Sequence, residues 1–167
     1  ADGTAAIWDT AQQTVVERLF CGEKTQVYAG EFFGGQSTFF ATAYDNVLGI
    51  WDIQQGSHEI RRWKFHSRKP KIQEAPSQTL SPSEKGECFV YGAHLLKSSN
   101  SNNDDNVFAV ALSDGSVCVV DLRERGAFPA LRWQAHERYV SEISGGANFS
   151  SLDFFANTVV TSSGDGT

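Results

Sequence analysis

Cysteine is scarce in this chain. Cys21, Cys88 and Cys118 stand far apart, are odd in number and form no C-x-x-C pair. That excludes a disulfide framework and a thiolate zinc site, and predicts reduced thiols. Cys118 lies in the apolar run SVCVVD, where a cysteine is read as a small core residue. Histidine is as thin: His58, His66, His94 and His136 fall in separate segments. No metal-ligand cluster or Gly-rich phosphate loop is visible, and no cofactor is expected. No apolar run approaches the ~18 residues of a membrane span, and no signal-peptide pattern leads the chain. The expectation is an intracellular protein, cytoplasmic or nuclear, with no membrane partner. Methionine is absent, so residue 1 is not expected to be the native start. Basic residues are outnumbered by acidic ones, 14 to 20, for a formal charge of -6, which disfavours nucleic acid as a partner.

Hydrophobic residues make up 40 %, with twelve phenylalanines, enough to bury a core. Helical periodicity is almost missing. Short runs instead alternate or are apolar throughout, as in STFFATAY, VFAVALS and NTVVTSSG, which predicts an all-β chain of short antiparallel strands. Tight turns at D-G or D-N separate paired strands, where Gly or Asn accepts positive φ and a two-residue hairpin is expected. TVVERLFC, EIRRWKF and ALRWQA read as outer strands with one wet face.

The turn recurs in register. Asp2 precedes Asp9 by seven residues in DGTAAIWD, Asp45 precedes Asp52 by seven in DNVLGIWD, and Asp114 precedes Asp121 by seven in DGSVCVVD. Asp165 starts a fourth copy, DGT. The first interval is about one unit of a repeat of roughly 40–45 residues; the second is longer and is assigned to insertions.

These copies, with Trp8-Asp9 and Trp51-Asp52, resemble WD repeats, the blades of a β-propeller, in a divergent member of that family. The resemblance implies four-stranded antiparallel blades, with about three blades' worth in this chain. Residues 1–20 would give two outer strands of a blade, 22–65 a blade, 67–85 a flexible insertion, 86–134 a blade with a polar loop at 97–106, and 137–163 the inner strands of a last blade. The ring would close with further sequence or with a second copy. The resemblance also implies a hydrogen-bonded set of His, Ser/Thr, Asp and Trp within a blade. Only the last copy offers His136, Asp165 and a nearby Thr161 or Ser163. His66 is the best candidate in the copy before it, and Val120 replaces Trp in the third. Asp2, Trp8, Asp9, Asp45, Trp51, Asp52, Asp114, Asp121, His136 and Asp165 are therefore expected to be structural.

His136, Ser163 and Asp165 also have the residue types of a hydrolase triad, but no G-x-S-x-G elbow accompanies them. No enzyme is expected. The function implied by the resemblance is a non-catalytic scaffold, binding protein or peptide partners through rim loops and belonging to a larger complex. Partner-facing positions would be Lys24, Gln26, Tyr44, Ser113, Glu137, Arg138, Tyr139 and Gly164, with Tyr44 and Tyr139 foremost as exposed tyrosines. Two alternatives stand beside it. Asp121 and Arg123 match the end of the Trp-Asp-x-Arg pattern of substrate receptors of cullin-RING ubiquitin ligases. Arg61, Arg62 and Lys64, interleaved with Trp63 and Phe65 in the basic segment 58–71, suggest RNA or an acidic ligand; the plainer reading is an outer strand with Trp63 inward and charges outward. Ser81-Pro82 has the form of a phosphosite, and Asn148-Phe149-Ser150 that of a glycosylation acceptor.

Overall fold

A computed structural model describes residues 2–34, 38–67, 88–96, 106–124, 129–145 and 159–167. Apart from Ser67 and Asn106, the expected insertion at 67–85 and polar loop at 97–106 lie outside the described residues. So do Ser81, Pro82, Asn148, Phe149 and Ser150.

Twelve strands and no helix make up the described residues. β1 (Thr4–Asp9) pairs with β2 (Thr14–Phe20). β3 (Val27–Phe33), β4 (Phe39–Tyr44), β5 (Val47–Asp52) and β6 (His58–Lys64) form one four-stranded antiparallel sheet in that order. β7 (Val90–Leu96), β8 (Val107–Leu112), β9 (Ser116–Asp121) and β10 (Leu131–Gln134) form a second, and β11 (Val140–Gly145) pairs with β12 (Val159–Ser163). The first strand of each sheet packs beside the next, β3 against β7 and β7 against β11. Four-stranded antiparallel sheets whose inner strands converge are the blades of a β-propeller.

Burial explains the sequence texture. β4, β5 and β8 sit mid-sheet with a blade on each face, so FFATAY, VLGIWD and VFAVAL are buried almost throughout. The outer strands β2 and β6 alternate exposed and half-buried residues, as one wet face requires. The cores lie between sheets. Phe33, Leu48, Ile50, Trp63 and Phe65 meet Cys88, Leu95, Phe108, Val110 and Cys118, so Trp63 points inward and Cys118 is core. Ala109, Ala111 and Val117 meet Val140 and Ile143. Leu19, Phe40 and Trp51 close against Ala5 and Ile7.

The turns repeat in geometry as well as in sequence. In each D-G-[T/S] copy the first aspartate's Oδ1 accepts the backbone N–H and the hydroxyl two residues on: Asp2 from Thr4, Asp114 from Ser116, Asp165 from Thr167. The glycine between them is left-handed each time, with φ of 70°, 84° and 88° at Gly3, Gly115 and Gly166. Loop length departs from expectation at the third copy. Ser113, Asp114 and Gly115 all lie between β8 and β9, a three-residue loop with glycine in the left-handed position. The Asp45-Asn46 turn has two residues, and Asp45 takes the positive φ, 42°. The aspartates at the far ends of β1, β5 and β9 cap the next turn. Asp9 accepts from the N–H groups of Ala11 and Gln12, Asp52 from those of Gln54 and Gln55, and Asp121 from that of Arg123.

Candidate functional site

The rim at the turn end of the blades is built by aspartates that fasten the segments leading into the inner strands. Asp45 Oδ1 accepts the Gln26 N–H at 3.1 Å, and Asp165 Oδ2 accepts the Glu137 N–H at 3.0 Å. Hydrogen bonds from the Thr167 hydroxyl, and then from the Thr167 and Glu137 N–H groups and Ser163, hold the Asp165 carboxyl well below the usual carboxylate range. Lys24, Gln26, Glu137, Arg138 and Tyr139 stand exposed on these fastened segments. Gly164 seats one of them: a Cβ there would strike the Tyr139 ring, and its carbonyl accepts from the Arg138 guanidinium at 3.3 Å.

His136 lies beneath this rim with 9 % of its side chain exposed. Its Nε2 is 2.7 Å from Thr161 Oγ1, and its Nδ1 is 3.0 Å from Thr167 Oγ1 and 3.3 Å from Asp165 Oδ2. Ser163 Oγ accepts the Asp165 N–H. The serine and histidine of the conceivable triad are therefore turned to different partners, and the cluster holds the turn. In the sheet of β3–β6, two blades away, Trp51 Nε1 donates to the buried Thr42 Oγ1 at 2.8 Å, and burial pushes the pKa of the Cys21 thiol up to about 11.

Several expected site residues sit elsewhere. Tyr44 is not a rim contact: it is 4 % exposed, and its hydroxyl donates to Glu59 Oε1 at 2.6 Å. The reason is its place at the end of mid-sheet β4, with blades on both faces; burial, followed by Glu59, raises its pKa. Ser113 is half-buried, its hydroxyl accepting the Phe89 N–H and donating to Cys88 Sγ. His66 is exposed and joins no buried set. Val110 stands in β8 where β12 has Thr161 and β4 has Thr42, so the imidazole has no hydroxyl to meet. Arg132 fills that place, pairing with Asp114 and donating to Ser116 Oγ and the His66 carbonyl. Trp8 is 57 % exposed, because its sheet holds only β1 and β2 among the described residues and no strand supplies the hydroxyl that Thr42 gives Trp51.

The basic segment is largely engaged. Arg61 lies 4.2 Å above the Trp63 ring and donates to the carbonyls of Leu122 and Glu124. Arg62 pairs with Glu59, and Lys64 is exposed. Trp63 and Phe65 are each 2 % exposed and offer no stacking surface. Arg68, Lys69 and Lys71 lie outside the described residues. Arg123 is exposed at the opposite end of the blades, where its guanidinium grips both oxygens of Asp121.

Two tyrosines escaped the sequence reading. Each inner strand breaks register at the same place, between Val27 and Ala29, Val90 and Gly92, and Val140 and Glu142. These bulges carry Tyr28, Tyr91 and Ser141. Tyr28 meets Tyr91 edge to face at 5.2 Å, and Tyr91 meets Tyr139 likewise at 5.8 Å. The aromatic arc crosses three sheets beside a cavity of about 310 Å³ at the convergence of the inner strands. The signal was Val-Tyr opening two otherwise unlike strands, VYAGEFF and VYGAHLL. Among the described residues no group of three or more His, Cys, Asp or Glu is placed to hold a metal ion, and no helix is long and apolar enough to cross a membrane.

No family model matches the chain, and no curated protein matches it. Among solved structures, a chain of one titled "Crystal Structure of Mitotic Checkpoint Complex" is similar at a TM-score of 0.58 and 13 % identity, over 86 % of this chain and 35 % of that one. This chain thus spans about a third of that neighbour's length. At such identity the likeness concerns the fold alone, which is a β-propeller.

Proposed function

We propose that this protein is a WD-repeat-type scaffold that binds protein or peptide partners through the rim carrying Lys24, Gln26, Glu137, Arg138 and Tyr139. The observation that supports it most is the fastening of the exposed segments by Asp45 and Asp165. A rim whose backbone is already fastened has less backbone entropy to lose on docking. Tyrosine and arginine, adjacent and exposed at 138 and 139, are among the residue types that dominate protein interfaces. The structural neighbour comes from a protein complex, in keeping with a partner of the same class.

The alternatives carry less support. A ligase-adaptor role would need Arg123 to leave Asp121, and an RNA role would need aromatic faces that Trp63 and Phe65 keep buried. The test is capture from extract with the wild-type protein and with the combined Glu137→Ala, Arg138→Ala, Tyr139→Ala variant, followed by binding of the purified partner. The reading expects a partner that binds directly and is lost by the variant. Equal binding by both proteins would refute it.

A further inference from the structure

We infer that the cavity where the inner strands converge takes the side chain of an arginine from a basic segment of a protein partner. This deepens the docking reading above and rests on it. The bulges are the starting observation. A β-bulge re-aims the side chain it carries, and here the same bulge recurs in β3, β7 and β11. It turns Tyr28 and Tyr91 toward one cavity, whose wall is completed by Glu142 of β11. Ala29, Gly92 and Ala93 line the same space, and their small side chains leave it open.

The chemistry of that wall selects the guest. Edge-to-face packing with Tyr91 braces Tyr28, whose hydroxyl is also anchored on Gln26 Oε1 at 2.6 Å. Tyr139 braces Tyr91 from the other side. Braced tyrosine rings attract a cation to their faces. Glu142 adds an exposed carboxylate and Glu137 another on the nearby rim, on a chain of net charge -6. An anionic guest would meet the Glu142 carboxylate, and an apolar one would leave that carboxylate and the Ser141 hydroxyl without a partner in the guest. A guanidinium is planar, so it stacks on a ring while its N–H fork meets a carboxylate; a lysine ammonium does only the second well. Charge complementarity and ring geometry thus point to arginine.

The test is a titration followed by backbone amide NMR, with three heptapeptides of sequence acetyl-Gly-Ser-Gly-X-Gly-Ser-Gly-amide, X being arginine, citrulline or lysine. The arginine peptide should give saturable shifts centred on residues 27–29, 91–93 and 139–143, with a dissociation constant on the order of a millimolar. Citrulline keeps the shape and loses the charge, and should not saturate. Glu142→Gln, an exposed position, and Tyr91→Leu should each weaken binding by roughly three- to tenfold. Unsaturable shifts, shifts elsewhere, or equal binding of citrulline or lysine would overturn the inference. A failed arginine peptide beside a rim variant that still loses its partner sinks only this inference. Arginine binding without any rim-dependent partner sinks the docking reading and leaves the cavity an arginine site.

Discussion

Asp114 and Arg132 meet at 2.5 Å with 6 % of each side chain exposed, tying outer strand β10 to the turn between β8 and β9. Arg132 also donates to the His66 carbonyl at 2.7 Å, so one guanidinium fastens the end of the preceding blade. Breaking a buried pair from one side strands the other charge, and costs about 3–5 kcal/mol. Arg132→Met and Asp114→Asn, the latter keeping the Oδ1 acceptor for Ser116, should each unfold at markedly lower urea concentration. The double variant should recover much of that loss, and urea denaturation of all four proteins reads it directly.

The His136 set should behave as a unit. His136→Ala and Thr161→Val each remove a part-buried hydrogen bond, at about 0.5–1.5 kcal/mol. Because the two side chains share one contact, at 2.7 Å, the double variant should lose less than the sum. Strictly additive losses in thermal melts would show that the contact does not stabilise the fold.

Most of the architecture was legible because each blade repeats one turn chemistry and one burial pattern. The D-G-[T/S] spacing marked where chains reverse, and the contrast between FFATAY and EIRRWKF separated mid-sheet from outer strands. The rim was harder to read. Tyr44 and Tyr139 both neighbour a turn aspartate or glycine, yet one is buried by blades on either side and the other is lifted out over Gly164; strand-end burial depends on neighbours that one segment does not encode. Arg132 in the place expected for His66 was hidden for the same reason, since the partner is set by Val110 a sheet position away. The bulges that aim Tyr28 and Tyr91 shift register by one residue, which strict alternation misses.

Two glycines with the same backbone should respond differently. Gly115 and Gly166 are both left-handed, at φ 84° and 88°. A Cβ on Gly115 would run into the carbonyl oxygens of His136 and Arg138, whereas one on Gly166 meets nothing within 4 Å. Gly166→Ala should cost about 1–2 kcal/mol for the left-handed conformation alone. Gly115→Ala should cost clearly more and should displace the 136–139 segment, visible as changed amide shifts there.

Stability should fall on the alkaline side. Burial raises the Cys21 thiol from 9.0 to about 11, so the folded state holds a proton that the unfolded chain releases first. Its contribution is complete below about pH 9 and is lost as pH rises through about 11. Tyr44, also raised by burial, acts in the same direction at higher pH. Cys21→Ser should flatten the fall in melting temperature between those values. Cys21 should also alkylate with iodoacetamide more slowly at neutral pH than a free thiol does.

The central claim is that partners dock on the turn end of the blades. Hydroxyl-radical footprinting of the protein alone and in complex with its captured partner tests it most directly. The account predicts that Tyr28 and Tyr139, now 38 % and 45 % exposed, lose labelling in the complex while Trp8 and Trp133 keep theirs. Unchanged tyrosines beside protected tryptophans would contradict it.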